Sequence, residues 1–580
     1  MHRSVPRARS RILLASVTAA LLVGGSVNLV AADPPPGTPA GGKAKTTQVQ
    51  ILSLNDFHGQ LRPPDQTSSG GRIGATPAGG AEFLAQYVRD LEADNPNTLF
   101  VSAGDLIGAT PLISAIFHDE PSIEAMNLIG LDYNGVGNHE FDEGPEELIR
   151  MQEGGCHPDE GCFAGDGFDG ADFPFLAANV TWNDSGETIF PPYAIHEFPG
   201  VDIAIVGMTL EGTPSIVTAA ATKDITFHDE ADSVNALVPE LKAAGIETII
   251  VLLHEGGSAG IGLNETTINS CGGSGLTPPV PPSGAVVDVI NRFDREIDLV
   301  VTGHTNWAIN CPNFNGTGIM VTGAASVGRL VTDVDLTISR ATKEIVSASI
   351  NNVIVRRDVF APAADITALI DKYGVIAAPT ENRVLGTATA PLTRTANAAG
   401  ESSLGDIIAD AQLWATSGAS WPAQNGPPAV ISFMNAGGIR TDINAGPITY
   451  GEAFNVQPFA NVLVTMDMSG ANIDALLEQQ FQGGNGVLQI PAALTYDRSN
   501  SQPAGNRISN VRINGVLLDP GATYRVTVNN FLADGGDNFT IFRTGTNRFV
   551  GEIDLDAFAR YIEFLVTVNP GPQNRITIVG

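Results

Sequence analysis

The sequence predicts an α/β protein built from two large domains. The chain has 580 residues, which is too long for a single hydrophobic core. From residue 46 to about 355, short β-rich apolar runs alternate with helix-like stretches such as Gly80–Leu91, a pattern typical of helices layered on sheets. A helix-like segment at 363–373, followed by alanines and a proline, indicates a connector. The predicted boundaries are 46–356 for the first domain, 357–383 for a linker that contains a helix, and 384–580 for the second domain.

The first 32 residues have the pattern of a signal peptide. Four arginines precede the apolar run Ile12–Val30, which exits through the small residues Ala31 and Ala32. An uncleaved membrane anchor is the alternative, because the run approaches the roughly 20 residues that a spanning helix needs. Its Ser and Gly residues and its small-residue exit favour cleavage near Ala32. The Pro- and Gly-rich segment 33–45 predicts a flexible leader, and we expect a secreted, periplasmic or cell-surface protein with no stable membrane insertion.

Four cysteines in an exported chain favour disulfides. Cys156 and Cys162 bracket a short loop, and Cys271 and Cys311 flank a longer one that is rich in Gly and Pro. A zinc site is the other interpretation, but no Cys-x-x-Cys spacing occurs. We expect one bridge within each pair.

The net charge limits the classes of partner. The chain has 63 Asp and Glu residues against 31 Lys and Arg residues, a formal charge of −32. This balance argues against a broad surface for nucleic acids or anionic membranes. An enzyme that acts on anionic substrates would need bound cations or a few placed arginines to invert the local field.

Five apolar runs of the first half end on side chains that can bind metal ions. The runs and the residues after them are Ile51–Leu54 before Asp56 and His58, Leu99–Val101 before Asp105, Tyr133–Val136 before Asn138 and His139, Ile249–Leu253 before His254, and Leu299–Thr302 before His304 and Asn306. Ligands of open α/β sheets bind beyond the carboxyl ends of the strands. Each residue alone is better explained as a turn, a cap or a surface histidine, but the joint set suits two close divalent cations such as Zn²⁺ or Mn²⁺. Two such ions clamp and hydrolyse phosphate esters.

The same positions carry a family resemblance. The blocks are Asp56-x-His58, Gly104-Asp105, Gly137-Asn138-His139-Glu140, His254 and Gly303-His304, and they resemble those of the calcineurin-like metallophosphoesterases. The continuation through Phe141 to Asp142 resembles the 5'-nucleotidase and UDP-sugar hydrolase family. The resemblance covers nearly all of the chain after the signal peptide. It implies a four-layer metallophosphoesterase β-sandwich with flanking helices and a separate α/β C-terminal domain that binds the substrate.

The resemblance also implies a role for each residue of the first domain. Asp56, His58 and Asp105 would hold one metal, and Asp105, Asn138, His254 and His304 the second. Asn306 stands where some relatives use an amide ligand. His139 would stabilise the phosphoryl oxygens or protonate the leaving group, with Asp142 orienting its ring. The nucleophile would be metal-bound water.

Two glycine-framed loops of the second half resemble the family's substrate-binding blocks. They are Asn435–Arg440, after the strand-like 429–433, and 529–539, after the strand-like 524–528. The resemblance implies that Phe459 and Phe531 sandwich the base, that Arg440 contacts phosphate or ribose oxygens, and that Asp537 binds the ribose with Asn435 close by. The alternatives are core packing for each phenylalanine and a turn-capping role for Asp537.

The sequence departs from the family at one place. Relatives carry one or two arginines just before the block that here begins at Glu401, whereas this chain has only Arg394, seven residues upstream. The phosphate group would therefore be held by fewer arginines, or Arg394 would reach it through a loop. We expect a hydrolase that releases phosphate from nucleoside 5'-monophosphates and related nucleotides, with a UDP-sugar pyrophosphatase, a 2',3'-cyclic nucleotide phosphodiesterase and a secreted nucleotide-binding protein as alternatives.

Overall fold

A computed structural model describes the chain from residue 45 to residue 579. The gaps in this description are 65, 67–68, 164, 166, 218, 259–261, 273–281, 419–425, 460 and 482–485. The predicted signal peptide and all but the last residue of the predicted leader lie outside the described residues.

The first sheet of the N-terminal half has six strands. In spatial order they are Ile345–Ile354, Leu330–Ser339, Thr46–Leu54, Thr98–Ser102, Tyr133–Gly135 and Phe175–Leu176. The last four run parallel to one another, and the first two are antiparallel additions at one edge. Parallel neighbours place their carboxyl ends along the same edge of a sheet.

The second sheet also has six strands. In spatial order they are Ala308–Cys311, Met320–Ala324, Leu299–Thr302, Thr248–His254, Val201–Thr209 and Tyr193–Phe198. Its four central strands are parallel, and both edge strands are antiparallel. The strand Thr248–His254 is buried along its whole length, as expected for a strand that is covered on both faces.

The two sheets pack face to face with helices outside them. Val101, Ile205 and Leu252 belong to the apolar layer between the sheets. The helices that cover the outer face of the first sheet are Ala81–Glu92, Glu120–Ile129, Pro145–Glu153 and Ala364–Glu381, and those on the second sheet are Glu230–Ala243 and Ala285–Arg292. The predicted four-layer β-sandwich with flanking helices is confirmed.

Short elements complete this half. The remaining helices are Leu112–Ala115 and Ala219–Thr222, with 3-10 turns at Ser69–Gly71, His139–Phe141, Thr213–Ser215 and Phe314–Gly316. Two small ribbons pair Arg72–Ile73 with Thr76–Pro77 and Val180–Trp182 with Ile225–Phe227.

Three smaller sheets form the C-terminal half. Their strands, in spatial order, are Gly446–Thr449, Val384–Ala388 and Thr567–Val568; Ile431–Ser432, Thr523–Asn529, Val462–Ser469 and Thr546–Ile553; and Val516–Leu517, Ile508–Ile513, Leu494–Arg498 and Ile576–Ile578. The helices are Ser403–Ser417, Tyr450–Val456, Gly470–Gln479, Asn530–Ala533 and Asp554–Leu565, with 3-10 turns at Ala436–Gly438, Gly536–Asn538 and Thr540–Thr544. This half is the separate α/β unit that the sequence predicts.

The helix Ala364–Glu381 lies between the two halves in sequence. It extends beyond the predicted helical segment 363–373 and includes Pro379 near its end. Its buried residues, among them Leu369 and Tyr373, belong to the core of the N-terminal half. The described residues from 45 onward form one compact unit, so the exact domain boundaries stay predictions.

Both predicted cysteine pairs come together. The Cα atoms of Cys156 and Cys162 lie 4.6 Å apart, and those of Cys271 and Cys311 lie 4.5 Å apart, within the range that a disulfide spans. Among the residues that the structure describes, no helix is both long and apolar enough to cross a membrane.

Candidate active site

The carboxyl ends of both large sheets meet at one buried cluster of predicted metal ligands. Asp56, His58 and Asp105 follow strands of the first sheet, and His254 and His304 come from the second. The donor atoms of these five side chains form two groups of three, each group having its atoms within 4.8 Å of one another. Asp105 belongs to both groups, which is the arrangement that a carboxylate shared by two cations requires.

The first group contains Asp56, His58 and Asp105. His58 Nε2 lies 3.7 Å from Asp105 Oδ2 and 4.0 Å from Asp56 Oδ1. His58 Nδ1 donates a hydrogen bond to the carbonyl oxygen of Gly108 at 2.9 Å. Because Nδ1 carries the proton, Nε2 is left with a free lone pair that faces both carboxylates.

The second group contains Asp105, His254 and His304. His254 Nε2 lies 3.0 Å from Asp105 Oδ2, and His254 Nδ1 donates to the carbonyl oxygen of Ala103 at 2.6 Å. His304 Nδ1 donates to the amide oxygen of Asn138 at 2.9 Å. The structure thus brings the predicted amide ligand Asn138 to this group.

Two buried donor atoms of the cluster lack a hydrogen bond of good geometry. Asp56 Oδ1 makes no hydrogen bond although Asp56 is fully buried, and such atoms normally have one. The buried His254 Nε2 lies 3.0 Å from Asp105 Oδ2 but makes no hydrogen bond of good geometry. Burial raises the pKa of Asp56 to about 7 and lowers the pKa of His58 to about 3. A pair of divalent cations would satisfy these atoms, and the mixture of carboxylate, imidazole and amide donors fits Zn²⁺ or Mn²⁺.

The backbone around the cluster is strained and tightly packed. The predicted ligands with left-handed backbone are Asp56 (φ 50°), His58 (φ 47°), Asp105 (φ 54°), His304 (φ 67°) and Asn306 (φ 56°). This conformation costs non-glycine residues energy and is concentrated at functional sites. Gly104 has φ 86°, and a Cβ atom there would lie 2.5 Å from the backbone nitrogen of Gly137. At Gly303 a Cβ atom would lie 2.7 Å from His254 Nδ1. Glycine therefore permits the close approach of the strand ends.

His139 stands beside the cluster, as the sequence predicts. Its Nδ1 lies 2.7 Å from Asp142 Oδ2, so Asp142 fixes the ring and leaves Nε2 as the other polar atom. The backbone N–H of His139 donates to Asp105 Oδ1 at 3.0 Å, and its ring meets that of His58 edge to face at 5.1 Å. Burial lowers the pKa of His139, but Asp142 and Asp105 outweigh it and raise the pKa above its usual value.

Glu140 is a structural part of the site to which sequence reasoning assigned no role. Its buried carboxylate accepts the backbone N–H groups of Asp105 at 2.9 Å, Leu106 at 2.8 Å and Gly137 at 2.6 Å. Glu140 therefore ties the loop of the shared ligand to the loop that carries Asn138 and His139.

Asn55 is a second positioning residue that sequence reasoning missed. Its amide nitrogen donates to Asp56 Oδ2 at 2.6 Å and to the carbonyl oxygen of Ala325, and its amide oxygen accepts the N–H of Ala324 at 2.7 Å. The sequence feature that could have identified Asn55 is its position between the end of the strand Thr46–Leu54 and the predicted ligand Asp56.

Asn306 differs from the other predicted ligands. It is exposed and follows His304 by two residues. It lines a surface pocket together with Gly257 and Trp307, and none of the other predicted ligands lines that pocket. Its role as a ligand stays a prediction.

The two predicted loops of the C-terminal half contact each other. Asn435 Nδ2 donates to Asp537 Oδ2 at 2.8 Å, and Asn529 Nδ2 donates to Asn435 Oδ1 at 3.1 Å. Phe531 is half-buried and packs on Gly536, where a Cβ atom would lie 2.5 Å from its ring. Asp537 has φ 50°, and burial raises its pKa.

Arg440 and Phe459 link these loops to the metal ligands. The ring of Phe459 stacks on that of His139 with centroids 5.5 Å apart and planes 14° apart, and the guanidinium of Arg440 lies 5.5 Å from the centroid of Phe459. Burial lowers the pKa of His304 to about 4, and the positive charge of Arg440 contributes to the shift. Arg394 donates from Nη1 to the carbonyl oxygen of Arg440 at 2.7 Å. The structure thus places Phe459 against His139, and a base on Phe459 would have to use ring surface that His139 leaves open.

Two family models match the chain. The model described as calcineurin-like phosphoesterase matches residues 49–307, and the model described as 5'-nucleotidase, C-terminal domain, matches residues 384–544. The first contains all the predicted metal ligands, and the second contains every predicted substrate-binding residue.

Individual relatives match over most of this chain. Endonuclease YhcR of Bacillus subtilis is 32% identical over 519 residues, which is 89% of this chain but only 39% of that relative. A 5'-nucleotidase of Vibrio cholerae is 25% identical, with 90% of this chain and 91% of the relative covered. The crystal structure of a 5'-nucleotidase precursor from Thermus thermophilus superposes with a TM-score of 0.72 at 28% identity and covers 92% of this chain and 100% of that one.

Proposed function

Because this chain belongs to the 5'-nucleotidase family of metal-dependent phosphoester hydrolases, we propose that it is a secreted two-metal hydrolase that releases phosphate from nucleoside 5'-monophosphates and related nucleotides. One observation carries the proposal. Two groups of metal donors share Asp105 and lie next to His139. That arrangement suits hydrolysis of a phosphate ester that is held against both cations.

The donor groups supply the cation sites. Asp56, His58 and Asp105 would hold one ion, and Asp105 would share in holding a second with Asn138, His254 and His304. When bound, two Zn²⁺ or Mn²⁺ ions would neutralise the phosphoryl oxygens and activate a water molecule for attack. The carboxylate of Glu140 accepts backbone N–H groups of Asp105 and Gly137 and so holds the two loops that carry the donors together.

His139 would act on the phosphoryl group or on the leaving oxygen. Asp142 holds His139 Nδ1 at 2.7 Å, so Nε2 is the atom that is left to donate a hydrogen bond or a proton. The carboxylates of Asp142 and Asp105 raise the pKa of His139 above its usual value, and a protonated ring is the form that a general acid needs.

The C-terminal loops would select the substrate. Arg440 offers a planar guanidinium to phosphate or ribose oxygens, and Arg394, bonded to the carbonyl of Arg440, adds a second positive charge nearby. Asp537 and Asn435, already bonded to each other, would bind ribose hydroxyls. Phe459 and Phe531 would provide stacking surface for the base.

A second candidate is a hydrolase of phosphodiesters. The similarity to Endonuclease YhcR favours it, because two cations that hold a monoester can also hold a diester or a pyrophosphate. The chain spans about two-fifths of that relative. Its net charge of −32 disfavours a long nucleic acid as substrate, so the diesters to test are small ones.

A substrate panel distinguishes these functions. The purified protein, with Zn²⁺ or Mn²⁺ added, is given AMP, UDP-glucose, a 2',3'-cyclic nucleotide and bis-nitrophenyl phosphate at equal concentrations. We expect the highest kcat/KM for AMP. A higher kcat/KM for the cyclic nucleotide or the nitrophenyl diester would replace the proposal by the diesterase. Tight AMP binding without turnover of any ester would leave a nucleotide-binding protein.

A further inference from the structure

A second cluster of metal donors lies outside the active site. His118, His157 and Glu160 bring one donor atom each within 4.8 Å of the others. His118 Nε2 lies 3.6 Å from Glu160 Oε1, and the imidazole rings of His118 and His157 stack with centroids 4.1 Å apart. Neither histidine takes part in the proposed hydrolysis.

We propose that His118, His157 and Glu160 form an additional binding site for a borderline divalent cation such as Zn²⁺, separate from the two cations around Asp105. Two imidazoles and one carboxylate are a donor set that zinc accepts. The site would hold the surface loop that carries His157 and Glu160 against the turn that carries His118.

Glu143 orients the imidazole ring of His118 for metal binding. His118 Nδ1 donates to Glu143 Oε2 at 2.5 Å, so in the neutral ring Nε2 is the nitrogen with a free lone pair, and it faces Glu160. A carboxylate behind a histidine is the common outer partner of a zinc ligand, because it fixes the tautomer and the ring orientation.

The disulfide restricts the loop that supplies the other two donors. Cys156 and Cys162, six positions apart in the chain, enclose His157 and Glu160 in a closed loop. Within it, the N–H of Glu160 donates to His157 Nδ1 at 3.2 Å, a long contact that a metal ion on this nitrogen would replace. A closed loop loses less conformational entropy when its donors are fixed by a metal.

The turn of His118 is held in a costly conformation. His118 and the next residue, Asp119, have φ of 48° and 64°, a left-handed pair that needs support from its surroundings. Asp119 provides part of that support, because its carboxylate accepts the N–H of Gly108 at 2.8 Å and the hydroxyl of Thr110 at 2.6 Å. The backbone therefore presents the His118 ring to the disulfide loop before any ion binds.

The test is zinc stoichiometry. The intact protein is dialysed to equilibrium against Zn²⁺, and bound zinc is counted by mass spectrometry in the parent, in His157→Ala, in Glu160→Gln and in the control His196→Ala, whose histidine lies on the strand Tyr193–Phe198. We expect each of the two cluster variants to lose one equivalent of zinc and the control to lose none. Equal zinc content in the parent and in both cluster variants would overturn the proposal, and would leave the cluster as hydrogen bonds and ion pairs around a protonated His118.

A second measurement tests the role of Glu143. Glu143→Gln keeps all three ligands and removes the outer carboxylate, so we expect zinc affinity at this site to fall about 10- to 100-fold. The dissociation constant is measured by competition with a zinc indicator, as the difference between each protein and its His157→Ala partner. An unchanged constant would contradict the outer role of Glu143. Because both readouts are differences in zinc binding, they do not depend on which ester the enzyme hydrolyses.

Discussion

The metal centre and the substrate loops are built on different structural principles. The candidate ligands of the centre follow strands of two sheets and are buried, apart from the half-buried His304. Two of them are tied to backbone groups of neighbouring loops, His58 to Gly108 and His254 to Ala103. The proposed substrate residues lie on short turns and helices, where Arg440 is half-exposed and Arg394 is exposed, while Asn435 is buried. Asn435 and Asp537 are hydrogen-bonded to each other, and Asn435 also accepts a hydrogen bond from the side chain of Asn529.

The difference implies a division of labour. A rigid centre suits chemistry that is common to many phosphate esters, because its donors need no reorganisation during the reaction. Surface turns tolerate change and suit selection among substrates. Changes in the centre should therefore reduce turnover of every ester, whereas changes in the loops should affect only esters that carry a nucleoside.

The largest effect is expected at the shared ligand. Asp105→Asn removes a charge that both donor groups use, and the loss of several kcal/mol of transition-state stabilisation should lower kcat by about 1,000-fold or more. Steady-state assays with AMP and with p-nitrophenyl phosphate measure it. The control is Asp333→Asn, whose carboxylate accepts a hydrogen bond from Gln50 and belongs to neither donor group. Retained turnover of either ester would contradict a shared-ligand centre.

The next effect is expected at His139. His139→Ala should lower kcat by about 100- to 10,000-fold with little change in KM, because the lost proton donor acts in the transition state. Asp142→Asn keeps the ring and loses only its orienting charge, so we expect about a 10- to 100-fold loss.

The order of these two variants distinguishes their roles. If Asp142→Asn were as damaging as His139→Ala, Asp142 would have a direct role rather than an orienting one. His196→Ala, on the outer strand Tyr193–Phe198, is the matched control and should keep full turnover.

A smaller and selective effect is expected at Phe531. Phe531→Ala should raise KM for AMP by about 5- to 150-fold, since stacking on a base contributes about 1 to 3 kcal/mol. The same change should leave KM for p-nitrophenyl phosphate unaltered, because that ester has no base. Phe481→Ala, which removes a ring that packs under Arg498 in the same half, is the control. Equal increases in KM for AMP and for p-nitrophenyl phosphate would contradict the division of labour between the centre and the loops.

The smallest effect on turnover is expected at the far end of a ligand-bearing strand. Asp298 precedes the strand Leu299–Thr302, and burial raises its pKa from 3.8 to about 7. Between these values the folded protein binds more protons than the unfolded chain, so stability falls as pH rises through this window. Asp298→Asn never becomes charged and should gain up to about 4 kcal/mol over the parent between pH 4 and pH 8.

Urea unfolding at several pH values measures this gain. The amide oxygen of the Asp298→Asn variant can still accept the N–H of Ile249, which Asp298 accepts at 2.9 Å, so the hydrogen bond itself is conserved. If the difference in unfolding free energy between the parent and Asp298→Asn does not vary with pH, the pKa of Asp298 is not raised in the folded protein.

Much of the centre could be predicted because its residues follow apolar runs that are visible in the sequence. The ends of strands such as Thr98–Ser102 and Thr248–His254 lie where the hydrophobic pattern stops, and ligand chemistry is visible at that point. The roles of Glu140 and Asn55 could not be predicted, because Glu140 accepts backbone N–H groups, including that of Asp105 on another loop, and Asn55 contacts the backbone of Ala325, 270 residues away. The contact between Phe459 and His139 depends on packing between the two halves, which no local pattern encodes.

The most direct test of the central claim is metal-dependent release of phosphate from AMP. The protein is treated with a chelator, assayed, supplied with Zn²⁺ or Mn²⁺ and assayed again, with His139→Ala in parallel. We expect release to stop after chelation, to return with metal, and to stay at least about 100-fold lower in the variant. Release that survives chelation, or that is equal in the variant, would contradict a two-metal hydrolase assisted by His139.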